Sequence, residues 1–412
     1  MSDTNWLDID LAALDHNVAA FRRALLPGAA ICAVVKADAY GLGAVPIAKR
    51  LSASPSGGGS GGGGVELLAV FSPVEAAQLV AAGIVTPILI LMPVTDISRT
   101  DILYRAAVAG RLHLTIHSLE QLHQVETIGR KFGISMPVHI ELDTGMSRGG
   151  MPPELAQPVL QHIASTRWLK LAGLFTHMAC ANDNLSAINR QSHRFDSALD
   201  QFATLIPADT RIHLANTHTA LRDRKYHRSM IRVGIGLLGY GESDITGGSL
   251  TAGIANLRPT VRWASNIVHI HHVPAASPVG YGSTFTTPRD SRLGIVPVGY
   301  AFGYPVALAN KSHVRVGPDL VPCPIRGNIN MDQLIVDLTD LSPDLGLDAP
   351  VEIYSNDPAA PNALPALAAA ARTHCYDLLC RLSGRIPRRY LTPKPAITAA
   401  SRPTPTPRMR SL

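Results

Sequence analysis

The sequence predicts an α/β chain, an N-terminal (β/α)8 barrel followed by a C-terminal β-rich domain. Three observations lead there. Up to about residue 252, eight short apolar runs alternate with helical patterns, as expected of parallel strands wrapped by helices. Beyond that point the texture changes to short β-rich runs separated by turns, such as VRWASNIVHIHHV, RLGIVPVGYA and QLIVDLTD. A chain of 412 residues with 46% hydrophobic content also has material for two cores.

The first strand, at 31–37, runs into AVVKADAYGLG, where Val34 and Val35 imply burial and Lys36 interrupts them. A lysine there is costly unless its ammonium is paired or its amine is used covalently, since desolvation favours the neutral, nucleophilic form. The segment alone leaves a second reading open, a buried stem with its head in solvent. Strands at 67–72, 87–92 and 112–117 follow, and then 137–143. In VHIELD, Val138, Ile140 and Leu142 face the surrounding helices, which turns His139, Glu141 and Asp143 toward the barrel axis. Strands at 169–178, 211–216 and 230–238 complete the eight, and the same parity turns Lys36 and Arg232 inward. Lys36, Arg148, His177, Thr217 and Gly234 fall at or just after C-terminal strand ends, where barrel sites are built.

Composition excludes several classes. Of the net charge of +6, four positive charges (Lys394, Arg402, Arg408, Arg410) sit in a tail after Tyr390 with no acidic residue, so 6 − 4 leaves +2 for the body. Nucleic acid is therefore not the expected partner. The tail, rich in Pro, Thr and Ser, is expected to be disordered, and SPSGGGSGGGG at 54–64 reads as a flexible linker. Five scattered cysteines (Cys32, Cys180, Cys323, Cys375, Cys380) show neither a disulfide framework nor metal-ligand spacing. No metal, no membrane span and no signal peptide are expected, so a cytoplasmic location is the default.

These motifs resemble those of alanine racemases, pyridoxal 5'-phosphate enzymes built from a barrel plus a β domain. AVVKADAYGLG is similar to their cofactor-lysine motif. ELDTGMSRGG (141–150), LFTHMA, HLANT, IRVGIG, VGYGSTF, PVGYAFG, NMDQ and CRLSGRIPRR (380–389) follow in the family's order. The resemblance implies a barrel over 1–252, a β domain over 253–390 and the tail over 391–412. It implies that Lys36 holds the cofactor and acts as base on one face of the substrate Cα, with Tyr281 on the other, since racemisation needs a base on each face. His177 and Arg232 would assist the tyrosine, and Arg232 would also stand at the pyridine nitrogen, disfavouring its protonation. Tyr40, Thr217 and the amides of Gly234 and Ile235 would bind phosphate. Arg148 would hold the cofactor phenolate and the substrate carboxylate. Tyr281, Tyr300 and Met331 would reach the site of a second subunit, making a homodimer with shared sites and an amino-acid substrate.

Departures from the family pattern qualify this. Glu141 stands where many members carry a carbamylated lysine, and is expected to orient Arg148 instead. Threonine replaces the usual serine at 217, which retains the hydroxyl. Asn330 replaces the usual cysteine, Asn328 an arginine and Phe302 an aspartate, and Gly384 stands where some members place a tyrosine near the phosphate. These changes leave a broader-specificity or serine racemase as the alternative. A barrel decarboxylase is disfavoured by Arg232 and by the lack of its glycine-rich phosphate loop. A non-catalytic cofactor-binding protein would lack the second domain.

Overall fold

The computed structural model describes residues 4–53, 64–181, 183–241, 254 and 256–392. All eight expected barrel strands form. They are β2 (Ala30–Val34), β3 (Leu67–Val70), β4 (Ile88–Ile90), β5 (Leu112–Ile116), β6 (Met136–Glu141), β7 (Leu169–Phe175), β8 (Arg211–His213) and β9 (Met230–Val233). They pair in parallel in the order β8-β7-β6-β5-β4-β3-β2-β9. The ring closes between its ends through Arg232 N–H to the Ala215 carbonyl at 2.9 Å and Ser229 N–H to that of Ile212 at 3.1 Å.

The helices begin where the sequence supplies caps. Asp10 accepts from the amides of Ala12 and Ala13 at the start of α1 (Leu11–Ala24). After a single turn, α2 (Lys36–Gly41), come α3 (Ala44–Ser52) and α4 (Pro73–Ala81). Helix α4 opens with Ser72 and Glu75 in a reciprocal capping box and proline at its first position. Around the barrel follow α5 (Leu103–Val108), α6 (Leu119–Phe132), α7 (Ala156–Ser165), α8 (Leu185–Gln201) and α9 (Thr217–Arg222).

The domain boundary differs from the expectation at one place. The first strand, β1 (Asn5–Asp10), alternates buried and half-buried residues and belongs to the second domain. It pairs antiparallel with β10 (Val261–Asn266) and parallel with β19 (Arg388–Leu391). The side chain of Asn5 accepts from the indole N–H of Trp263 at 3.2 Å, which fixes this register. The sheet containing them has six strands, adding β15 (His313–Val316), β16 (Val321–Pro324) and β18 (Pro350–Tyr354) in the order β16-β15-β18-β10-β1-β19. A three-stranded sheet, β11-β14-β17 (His269–Val273, Ser291–Val296, Leu334–Asp337), and a hairpin of β12 (Pro278–Val279) and β13 (Phe285–Thr286) complete the strands.

The aromatic centre of this domain is Trp263 against Tyr354, edge to face with ring centroids 5.0 Å apart, and both are fully buried. Burial of each contributes roughly 4–6 kcal/mol of transfer free energy before entropy is charged against it. Helices α10 (Leu364–Ala371) and α11 (Cys375–Cys380) then bring the chain back against α2 at the barrel mouth. The expected tail and most of the glycine-rich loop lie outside the described residues. No helix among the described residues is long and apolar enough to cross a membrane.

Candidate active site

At the C-terminal mouth of the barrel is a cavity of roughly 760 Å³ lined by Lys36, Tyr40, Arg148, His177, Thr217, Arg232 and Gly234. Seven expected residues therefore converge. Ile235 follows Gly234 and is buried at the start of a 3-10 turn.

Lys36 leaves β2 and begins α2, whose Ala37, Asp38, Ala39 and Tyr40 all have φ of 51–59°. Four consecutive non-glycine residues in the left-handed region cost about 1–2 kcal/mol each, roughly 4–8 in all. Contacts from both domains offset this. The Ala37 amide donates to Glu75 Oε1 at 2.7 Å, and the Ala44 amide to Asp38 Oδ1 at 2.7 Å. From β19, Arg388 donates to the Gly41 carbonyl at 2.8 Å and the Tyr390 hydroxyl to that of Leu42 at 2.8 Å. The turn aims Lys36 into the cavity, where burial above all, and then Arg148, lowers its pKa, while Glu75 opposes that shift. The covalent-amine reading of Lys36 is thus the one its environment supports.

Arg148 rides on a loop folded around Asp143, whose Oδ1 accepts the amides of Gly145 (2.9 Å), Met146 (2.8 Å) and Ser147 (3.1 Å). Asp143, expected on the barrel axis, instead organises this loop, because β6 ends at Glu141. Glu141 does turn inward, but its Oε2 lies 3.3 Å from His117 Nδ1, and among the described residues no ion pair or hydrogen bond joins it to Arg148. The expected orientation of Arg148 by Glu141 is therefore not what the structure contains. The carboxylate passes beside Gly149 of this loop but turns to the His117 ring instead. The Arg148 guanidinium has its donors available to an anion.

Arg232 is buried and held by four acceptors. Its Nη1 donates to His213 Nδ1 (2.8 Å) and the His213 carbonyl (3.1 Å), and its Nη2 to the Thr176 carbonyl (2.8 Å) and His177 Nδ1 (3.2 Å). Of its five N–H groups, the Nε–H is the one left over. Burial brings its pKa down to about 10, so it remains a cation. Because arginine only donates, both histidines must accept at Nδ1 and carry their protons on Nε2. His213 Nε2 then donates to His139 Nδ1 at 3.0 Å, and His139 Nε2 in turn to His113 Nδ1 at 2.9 Å. One arginine thus fixes the tautomers of a line of histidines through the barrel interior, including the inward-facing His139.

Burial, more than neighbouring charge, holds these histidines neutral. His113 is pushed down to about 4, and His139, His213 and His177 lie well below their ordinary value. Unfolded histidines protonate near pH 6.5, so below that pH the unfolded chain binds protons that the folded one refuses. Each such histidine costs ~1.4 kcal/mol of stability per pH unit from about 6.5 downward, until its own folded pKa is reached. Urea midpoints should fall steeply between pH 7 and pH 4.5, and less steeply in His113→Asn. A flat profile would contradict the neutral chain.

At the opposite side of the cavity, Thr217 Oγ1 is approached by the amides of Gly234 (3.3 Å) and Gly236 (3.4 Å). A Cβ at Gly234 would overlap the Tyr40 hydroxyl, so only glycine lets that hydroxyl and the bare backbone share one place. The donor set, an amine, two guanidiniums, hydroxyls and glycine amides, suits an anionic aromatic aldehyde bearing a phosphate. Pyridoxal 5'-phosphate fits on each count. The unengaged Arg232 Nε–H suits an unprotonated pyridine nitrogen, because it can only donate.

Tyr281, Tyr300 and Met331 do not line this cavity. They are 78%, 45% and 55% exposed, in the second domain of the same chain. Hydrogen bonds gather them: Tyr300 N–H to the Asn330 carbonyl (3.0 Å), Ala301 N–H to that of Met331 (2.9 Å), and Asn328 Nδ2 to that of Tyr281 (2.8 Å).

Sequence reasoning passed over Tyr376, His117, Phe71 and Asn216, which also line the cavity, and Glu75, which anchors the turn. Tyr376 stands edge to face with Tyr40, centroids 5.7 Å apart. Gly384, by contrast, has no atom within 4 Å of where its Cβ would be and is not part of the lining. The aromatic bulk expected to be missing at Gly384 is thus present at Tyr376, which removes that argument for a wider substrate pocket. Its part in the cavity shows only in the tertiary structure, through the packing of α11 against α2.

Comparison with known proteins agrees with this geometry. The alanine racemase N-terminal domain family matches residues 9–242, and the C-terminal domain family residues 260–390. Alanine racemases of Nostoc sp. and Halothermothrix orenii are 34% and 32% identical to the chain. These alignments cover 94% and 93% of it and 96% of each relative. The crystal structure of alanine racemase from D-cycloserine-producing Streptomyces lavendulae superposes with a TM-score of 0.81 at 27% identity, covering 95% of this chain and 98% of that one. Alanine racemase from Streptomyces coelicolor gives 0.81 at 30% identity, with 94% and 98% covered.

Proposed function

The chain belongs to the alanine racemase family, and from that premise we propose that it interconverts L- and D-alanine with pyridoxal 5'-phosphate at the barrel mouth. The observation that carries this reading is the convergence on one cavity of the Lys36 amine, the unpaired Arg148 fork and the Arg232–His177 pair. Such a product would supply D-alanine for peptidoglycan in the cytoplasm.

When bound, the cofactor supplies an electron sink that lowers the barrier to breaking the substrate Cα–H bond. Lys36 would hold it covalently, and Tyr40, Thr217 and the amides of Gly234 and Ile235 would take its phosphate. The Arg232 Nε–H would face the ring nitrogen, and the guanidinium cation would disfavour its protonation. Arg148 would bind the substrate carboxylate through its planar fork and also meet the cofactor phenolate. The Lys36 amine would take or return a proton on one face of the substrate Cα. Its lowered pKa favours the form that can accept.

The second face needs its own base, and Tyr281 serves it from another copy of the chain, with Tyr300 and Met331 beside it. Three exposed apolar and aromatic side chains in one region favour burial at an interface. His177 accepts from Arg232 at Nδ1, so its Nε2–H can donate to the Tyr281 oxygen and ease loss of the phenolic proton. The functional unit in this reading is a homodimer with two shared sites.

The test is incubation of the cofactor-loaded protein with L-alanine in deuterated water. D-alanine carrying deuterium at Cα is the expected product. Carbon dioxide release, or exchange that never yields the D-enantiomer, would refute racemisation.

A further expected result concerns Arg148→Lys, which keeps the charge but loses the fork. KM for alanine should rise about tenfold or more, with a smaller fall in kcat, since a charge-assisted bidentate contact is worth ~1.5–3 kcal/mol. An unchanged KM would place the carboxylate elsewhere.

A further inference from the structure

On the outer surface of the barrel, away from the cavity, helix α6 carries His123 and, one turn on, Glu126, while the neighbouring α7 carries His162. One ligand atom from each of the three lies within 4.8 Å of the others. We propose that His123, Glu126 and His162 form a binding site for a divalent transition-metal ion of the zinc class, which staples α6 to α7.

The arrangement of Glu126 supports this. Its side chain is 7% exposed, in a place where a carboxylate needs partners. Oε1 accepts from the Thr166 hydroxyl at 2.7 Å and from Arg130 at 2.9 Å. Oε2 accepts from His162 Nε2–H at 2.9 Å. Glu126 thus has Oε1 fixed by Thr166 and Arg130 and Oε2 turned to His162, the pattern by which outer groups orient a metal-binding carboxylate.

The histidines complete the set. Their rings meet edge to face with centroids 4.6 Å apart. His123 is exposed, so a small side-chain rotation closes the distance to donors that must each stand about 2.0–2.2 Å from an ion. In this structure His162 Nε2–H donates to Glu126 Oε2; an ion would take the place of that proton, the ring then carrying its proton on Nδ1. Two imidazoles and a carboxylate form a borderline donor set, suited to zinc, cobalt or nickel and unsuited to magnesium or calcium, which require oxygen ligands. Water would complete the coordination. Arg130 stands on Oε1 with its side chain 62% exposed, so its charge is screened where an ion would approach Oε2.

Binding linked to folding raises stability in proportion to the logarithm of metal saturation, so the site has two readouts. Cofactor-loaded protein is stripped with a chelator and dialysed against zinc chloride, with cobalt chloride used to read the ligand field. The wild type should bind one more equivalent per chain than His123→Ala, and zinc should raise its thermal midpoint. In His123→Ala, whose altered side chain is exposed, affinity at this site should fall at least tenfold and the thermal shift should vanish. His162→Asn should behave alike. Equal stoichiometry and equal thermal shifts in wild type and both variants, or no binding in the wild type, would overturn the proposal.

Discussion

Replacing Lys36 by alanine is expected to abolish racemisation and covalent retention of the cofactor together. Among the residues lining the cavity Lys36 is the only lysine, so no other amine is placed to substitute. The loss removes one of the two proton-transfer groups, worth ~10²–10⁴-fold, and the covalent attachment besides. Borohydride reduction followed by peptide mapping reads the attachment independently of turnover. A normal reducible adduct on another lysine would disprove the assignment. The alanine variant should fold, because the turn that follows Lys36 is held by Glu75, Arg388 and Tyr390 rather than by the lysine head.

Replacing Tyr281 by phenylalanine should produce an asymmetric defect. Proton exchange from one enantiomer of alanine should fall ~10²–10⁴-fold, the range for removal of a general base, while exchange from the other falls far less. We assign Tyr281 to the L-enantiomer and Lys36 to the D-enantiomer. Equal losses in both directions would argue against two separate bases. Because Tyr281 is exposed in its own chain, mixing the two variants gives a second test. A dimer of one Lys36→Ala chain and one Tyr281→Phe chain holds one site with both bases intact if the tyrosine acts across the subunit boundary. Random mixing of equal amounts should then restore about one quarter of wild-type activity. No recovery would place Tyr281 in the site of its own chain, or nowhere near it.

The eight barrel strands were legible in order because each is a local apolar run of the right length, and the parity of VHIELD carries over to the inward placement of His139 and Glu141. The placement of the lysine, the two arginines, His177, Thr217 and Gly234 at the cavity was equally legible, since each sits at a strand end and barrel topology brings strand ends to one mouth. Their burial and cavity lining follow from position along the strand, which a sequence states directly.

What lay beyond the sequence depended on partners far along the chain or on reach in three dimensions. The alternation in NWLDID announces a strand, but only pairing with residues 261–265 and 388–391 decides that it belongs to the second domain. Glu141 has the charge to orient Arg148, yet the ring of His117, which follows β5, takes its carboxylate. Tyr376 reaches the cavity because α11 folds back onto α2, a contact separated by more than 330 residues. The left-handed turn after Lys36 is the sharpest case. Nothing in KADAY favours positive φ, and the strain is held by Glu75 from one side and by Arg388 and Tyr390 of β19 from the other. Local pattern therefore determined which residues line the cavity, whereas tertiary contacts decided how they are aimed, because aiming draws on hydrogen bonds whose two ends the chain keeps far apart.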